Sequence, residues 1–211
     1  MKVSVSILSS SLKAQDIVKG LNGTLADYIH IDIMDGKFVE NKTWTFSEIK
    51  KITSYSTLPL DVHLMVKDPK KYIMDYAVMN TECITFHYEA VKDIDEMIEY
   101  IKNYGLKVGI AINPETDEKV LFPYLKNIDE IIVMGVHPGK SGQSFIETTP
   151  DKIKSLKDEI IRQGVKTVIE VDGGINDETG ALCAESGVDM LVSASYVHND
   201  LKNNIKKLKD L

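Results

Sequence analysis

The stretch CITFHYEAVKDIDEMIEYIKNYGLKVGIAI, residues 83–112, holds two short apolar runs separated by one amphipathic run. Cys83 to Phe86 and Lys107 to Ile112 have the length and β-branched content of strands. Between them Ile94, Met97, Ile98 and Ile101 recur at helical spacing, and Gly105 stands where a helix would end. Strand, helix and strand with such short joints make a crossover unit, which places the two strands parallel.

Working outward, the same beat fills the chain. Further strands are expected at Val3 to Leu8, Tyr28 to Ile33, Leu60 to Met65, Glu130 to Val136, Thr167 to Val171 and Met190 to Ser193. The run TPDKIKSLKDEIIRQG, 149–164, is a helix with Pro150 in its first turn and Gly164 after its last. Residues 114–126 carry the least regular helical pattern. Eight such units in 211 residues fit one (β/α)8 barrel, a TIM barrel, spanning 1–211 as a single domain; a doubly wound open sheet is the alternative. No polar linker interrupts the pattern.

Composition narrows the class of protein. A 43% hydrophobic and 27% charged chain is ordinary for a globular protein, and no run approaches the roughly 18 apolar residues of a spanning helix. The start MKVSVSIL lacks the apolar core and cleavage site of a secretory signal, so a cytoplasmic location is expected, with no membrane partner. A net charge of −7 argues against nucleic acid, and the basic tail KNNIKKLKD reads as a solvated helix face. Cys83 and Cys183 stand in no metal-binding spacing and read as small buried side chains.

Within a barrel, chemistry gathers at the C-terminal ends of the strands. In YIHIDIMDG, 28–36, His30 and Asp32 are two residues apart and share one face, while Ile29, Ile31 and Ile33 share the other. LDVHLMV, 60–66, adds His63, and VIEVDGG, 168–174, adds Asp172. Two imidazoles and two carboxylates buried together call for a compensating charge, and a divalent cation satisfies all four. Asp35 reads as a turn residue of MDG.

These segments, with SILS at 6–9, ADYIHIDIMDGKFVEN at 26–41, ITFHYEA at 84–90, LKVGIAINPET at 106–116, VMGVHPGKSGQSF at 133–145 and VDGGI at 171–175, resemble the ribulose-phosphate 3-epimerase family over nearly the whole chain, in order. The resemblance implies that His30, Asp32, His63 and Asp172 bind one divalent metal, zinc or iron(II), with manganese or cobalt also able to serve. It makes Asp32 and Asp172 an acid/base pair that epimerises a phosphorylated ketose at C3 through a cis-enediolate. It also gives Met34, Met65 and Met134 a purpose beyond core filling, as a polarizable cap that keeps water from the enediolate. Gly173 and Gly174, with Ala194 and Ser195 after the eighth strand, are expected at the phosphate. Gly139 and Gly142 would belong to a covering loop, and Ser6 and His63 would meet the substrate. The family's habit implies a homo-oligomer.

The chain departs from the family pattern at several positions. Lys140 and Ser141 stand where Phe and Gly are usual, Ala194 where Gly is, and Val5 and Glu40 where Pro is. None removes a ligand or an acid/base group. The altered loop keeps a hexose substrate, allulose 6-phosphate, in play beside ribulose 5-phosphate, although Gly174 favours the pentose because the allulose enzymes tend to carry serine there. A non-catalytic sugar-phosphate-binding barrel is the reading outside enzymology.

Overall fold

The computed structural model describes residues 1–8, 14–140 and 142–211. Ser9 of the SILS segment and Ser141 of the covering loop lie outside them.

Eight parallel strands close into a barrel in sequence order, β1 (Lys2–Ser6), β2 (Tyr28–Met34), β3 (Leu60–Met65), β4 (Thr81–His87), β5 (Lys107–Ile112), β6 (Glu130–Met134), β7 (Val168–Asp172) and β8 (Met190–Ser193), with β8 pairing β1. The open-sheet alternative is therefore excluded. Expected and observed strand limits coincide for β3, β5 and β8 and differ by one to two residues elsewhere, as hydrogen-bonded ends fray.

Helices α1 (Ala14–Leu21), α2 (Phe46–Thr53), α3 (Lys70–Ala77), α4 (Ile94–Lys102), α5 (Thr149–Gln163), α6 (Asp177–Glu185), α7 (Ser195–Asn199) and α8 (Leu201–Lys209) surround the barrel. In α4 the predicted stripe Ile94, Met97, Ile98 and Ile101 is buried, and the Asp93 side chain caps the first turn by accepting from the Glu96 N–H. Each of those apolar side chains contributes about 1.5–3 kcal/mol on leaving water. Gly164 ends α5 in the left-handed conformation, φ 66°. The expected helix at 114–126 is instead a 3-10 segment, Glu118–Tyr124, with Pro123 inside it. Proline lacks the N–H of an α-helical ladder, and the shorter repeat accommodates that loss over a few residues.

The outward faces of the strands, including Ile29, Ile31, Ile33, Val62 and Leu64, pack under the helices as the main core. The inward faces are polar to an unusual degree. Ser4, Ser6, His30, Asp32, Asp61, His63, Thr85, His87, Glu130 and Glu170 are all buried, where many barrels stack branched apolar residues. Among the described residues no helix is long and apolar enough to cross a membrane.

Candidate active site

The pairing register sets the height of each inward group. Asp32 lies beside His63 and Met34 beside Met65 across β2 and β3, while Met134 lies beside Asp172 across β6 and β7. Closure then carries β7 round to face β2. One donor atom from each of His30, Asp32, His63 and Asp172 falls within 4.8 Å of the others, so this cluster can hold a metal ion. Asp32 Oδ1 is 3.4 Å from His30 Nε2 and 3.3 Å from His63 Nδ1. Asp172 Oδ2 is 3.7 Å and 3.4 Å from the same nitrogens. Four donors at about 2.1 Å around a tetrahedral cation stand roughly 3.4 Å from one another, and these spacings fit.

Hydrogen bonding points to the same place. His30 Nδ1 is engaged at 2.6 Å by Asp61 Oδ2, which also accepts from the Ser4 hydroxyl at 2.8 Å. His63 Nε2 is engaged at 2.9 Å by His87 Nε2. The remaining ring nitrogens, His30 Nε2 and His63 Nδ1, are buried with no hydrogen-bond partner among the described residues. They are the two nitrogens that face Asp32 and Asp172. An unpaired buried polar atom costs about 1–3 kcal/mol, and a cation at the cluster's centre removes that cost at both.

With protein atoms alone, the charges lean on one another. Burial disfavours the His30 imidazolium, but Asp61 and Asp32 overcome it and hold its pKa well above the usual range. Burial likewise opposes charge on Asp32, yet His30 and His63 hold its carboxyl far below ordinary carboxylates. His63 is raised because the neighbouring Asp172 and Asp32 carboxylates outweigh burial. A bound cation would take the role that protons on the imidazoles serve in its absence. His87 behaves oppositely, since burial, aided by neighbouring His63, lowers it to about 4.

Residues 2–198 match the model of the ribulose-phosphate 3 epimerase family. This chain belongs to the ribulose-phosphate 3-epimerase family. It is an epimerase, an isomerase acting on carbohydrates. The Bacillus subtilis (strain 168) ribulose-phosphate 3-epimerase is 38% identical over 217 residues, covering 99% of this chain and 98% of its own length. The Methanocaldococcus jannaschii ribulose-phosphate 3-epimerase is 37% identical over 213 residues, covering 100% and 90%. Among solved structures, the phosphoribosyl anthranilate isomerase of Thermus thermophilus superposes with a TM-score of 0.70 at 13% identity, covering 100% and 99% of the two chains, which shows the shared fold.

Beside the clustered donors lies a cavity of about 90 Å³. Asp32, Asp172, Ser6, Met34, Met65 and Met134 line it on the barrel side. Gly139, Gly142, Gly173, Gly174, Ala194 and Ser195 line it on the loop side. The Ser6 hydroxyl donates to Asp32 Oδ2 at 2.9 Å, so this serine touches the carboxylate as well as the cavity. Gly173 and Gly174 both have left-handed backbones, φ 107° and 71°, and a Cβ there would fall 2.4 Å from Val136 and 3.0 Å from Phe145. The turn thus requires glycine on its own account. Asp35 accepts from the Lys37, Phe38 and Lys67 N–H groups, the expected turn role.

Two departures from the family pattern meet in space. Lys140 and Glu40 form an exposed ion pair at 3.9 Å, between the loops that follow β6 and β2. The Asn41 amide donates to the Gly139 carbonyl at 2.7 Å across the same junction.

Several site residues escaped the sequence reading. Asp61, Glu170 and His87 surround the donor set, and both Glu170 oxygens are buried without a hydrogen-bond partner among the described residues, Oε1 lying 3.6 Å from His30 Nδ1. A signal existed for two of them. Asp61 and Glu170 stand two residues before His63 and Asp172, so strand alternation puts each on the inward face below a candidate ligand.

Proposed function

We propose that this epimerase interconverts D-ribulose 5-phosphate and D-xylulose 5-phosphate, inverting C3 by two-carboxylate proton transfer. The observation that carries the reading is that Asp32 and Asp172, on the non-adjacent strands β2 and β7, share one donor cluster and one cavity. Inversion beside a ketone removes a proton from one face and returns one to the other, so two carriers must flank the carbon. Asp32 takes the proton in one direction and Asp172 delivers one, and the roles exchange for the reverse epimer. Ser6, donating to Asp32 Oδ2, holds that carboxylate in position.

His30, Asp32, His63 and Asp172 would hold one divalent cation, zinc or iron(II), with manganese or cobalt able to serve. Such a cation supplies a Lewis acid for the negative charge that develops on the substrate C2 oxygen. Met34, Met65 and Met134 present buried thioether surface over the cis-enediolate, excluding water without donating hydrogen bonds. The backbone of Gly173 and Gly174, with Ala194 and Ser195, receives the phosphate, and Gly139 and Gly142 belong to the loop that covers it.

Turnover in deuterated water tests the proposal. Product xylulose 5-phosphate should carry deuterium at C3, and chelation should abolish turnover until zinc, iron(II), manganese or cobalt is restored. Full retention of the original C3 hydrogen in the product would overturn the two-carboxylate mechanism. The altered loop bearing Lys140 leaves a hexose phosphate as the competing substrate, so allulose 6-phosphate belongs in a parallel assay. Faster turnover of the hexose would move the specificity and leave the mechanism in place.

A further inference from the structure

The two imidazoles of the donor set offer different nitrogens to its centre, Nε2 from His30 and Nδ1 from His63. Something must fix which nitrogen of each ring carries the hydrogen. For His30 the answer is direct, because Asp61 takes the Nδ1 hydrogen at 2.6 Å. For His63 the structure places another histidine in that position. His87, at the end of β4, is fully buried; its Nε2 lies 2.9 Å from His63 Nε2, with the rings inclined by 22°. On its other side, His87 Nδ1 lies 3.3 Å from Glu89 Oε2. Glu89 is itself anchored, its Oε1 accepting from the Asn113 N–H at 2.8 Å and from the Thr116 hydroxyl. Phe38 packs on the His87 ring at 4.8 Å.

The directions of these bonds follow by elimination. An ionised carboxylate only accepts, so His87 Nδ1 donates to Glu89. A neutral imidazole has one donor and one acceptor, so His87 Nε2 accepts. His63 Nε2 must then donate, which leaves the lone pair on Nδ1, the nitrogen found buried without a hydrogen-bond partner among the described residues.

We propose that His87, oriented by Glu89, is a positioning residue that holds His63 as its Nε2–H tautomer and aims the Nδ1 lone pair at the bound cation. This rests on the metal site proposed above. Ring nitrogens opposite a metal are commonly fixed in this way, and loss of the partner weakens metal binding about 10–100-fold.

The experiment measures zinc affinity by chelator competition and the ring 15N shifts of the zinc-loaded protein, alongside the melting temperature of each metal-free variant. The wild type should bind zinc with His63 Nδ1 bound and Nε2 protonated. His87→Phe, which fills the space but accepts nothing, should bind zinc at least about tenfold more weakly. His87→Gln, whose amide oxygen accepts from His63 Nε2–H, should restore most of that affinity. Glu89→Ala, one link further out, should lose less than His87→Phe. A purely structural His87 would lower the melting temperature of His87→Phe and leave zinc affinity unchanged, and that result overturns the proposal. Failure of His87→Gln to bind better than His87→Phe overturns it too. Should His87→Phe not fold, unchanged zinc affinity in Glu89→Ala has the same force. A wild type that binds no zinc, iron(II), manganese or cobalt at the cluster would instead remove the metal site and this inference with it, a failure visible before any variant is made.

Discussion

The two mouths of the barrel differ in a way that size does not reveal. The mouth at the strands' N-terminal ends holds a cavity of about 370 Å³, against about 90 Å³ for the one beside the donor cluster at the opposite end. Its lining mixes Lys2, Lys107, Lys126 and Lys166 with Glu82 and Asp129, several already paired, as Lys107 is with Glu82. The smaller cavity is lined by Asp32 and Asp172, and the His30 and His63 nitrogens that face those carboxylates are buried with no hydrogen-bond partner among the described residues. Convergence of donors left without partners, rather than volume, separates a candidate catalytic end from a stabilising one. Barrels place chemistry at the C-terminal ends because the loops there are free to vary over a rigid sheet.

The sharpest way to break this contrast is at its centre. Asp32→Asn and Asp172→Asn preserve shape but remove a proton carrier, and each should lower kcat about a hundredfold or more even when metal-loaded. Metal content measured in parallel separates lost chemistry from lost cation. Full activity in either variant would strip the C-terminal mouth of its claimed role.

A smaller effect is expected at the Gly173–Gly174 turn, proposed above to receive the phosphate. Gly174→Ala adds a methyl carbon where the backbone has φ 71° and Phe145 is 3.0 Å away. Displacing one N–H from a charged oxygen costs about 1.5–3 kcal/mol, so KM for the phosphorylated sugar should rise roughly tenfold or more, with metal content unchanged. Lost metal with unchanged KM would show that the turn serves the donor cluster and not the phosphate.

The least effect on activity is expected deeper in the barrel, at Glu130, which also reaches the N-terminal cavity. Burial and then the nearby Asp61 carboxylate push its pKa up to about 7 from an ordinary 4.5. The folded protein therefore holds a proton there that the unfolded chain releases, and this group's contribution to stability falls as pH rises from about 4.5 to 7. Glu130→Gln keeps an acceptor for the Thr85 hydroxyl without the buried charge. It should raise thermal stability at pH 8 by on the order of 1–3 kcal/mol, with the advantage fading towards pH 5. Turnover should stay within about twofold of wild type. Thermal melts at the two pH values, with assays beside them, check both statements.

Much of this was legible in the chain itself. Helical spacing in α4 and two-residue alternation in β2 are local properties, and each fixes which side chains face inward without knowledge of the rest. His30 with Asp32 followed from that alternation, while the turn at Asp35 and the cap at Gly164 followed from equally local turn chemistry. The helical pattern at 114–126 forms a 3-10 segment instead, because apolar spacing alone does not distinguish the two when proline removes a backbone donor.

The sequence by itself determined the alternation of strands and helices, the inward side of each strand, and four residue types suited to one cation. Only the tertiary structure decided that Asp172 faces Asp32, since β2 and β7 are not neighbours in the sheet and meet only because β8 closes on β1. It also decided that His63 is backed by His87 and Glu89 while His30 is backed by Asp61, and that Lys140 finds Glu40. The physical reason is range. Side-chain direction along a strand repeats every two residues, but the partner of a ring nitrogen comes from another strand, whose height and angle are set by register and closure.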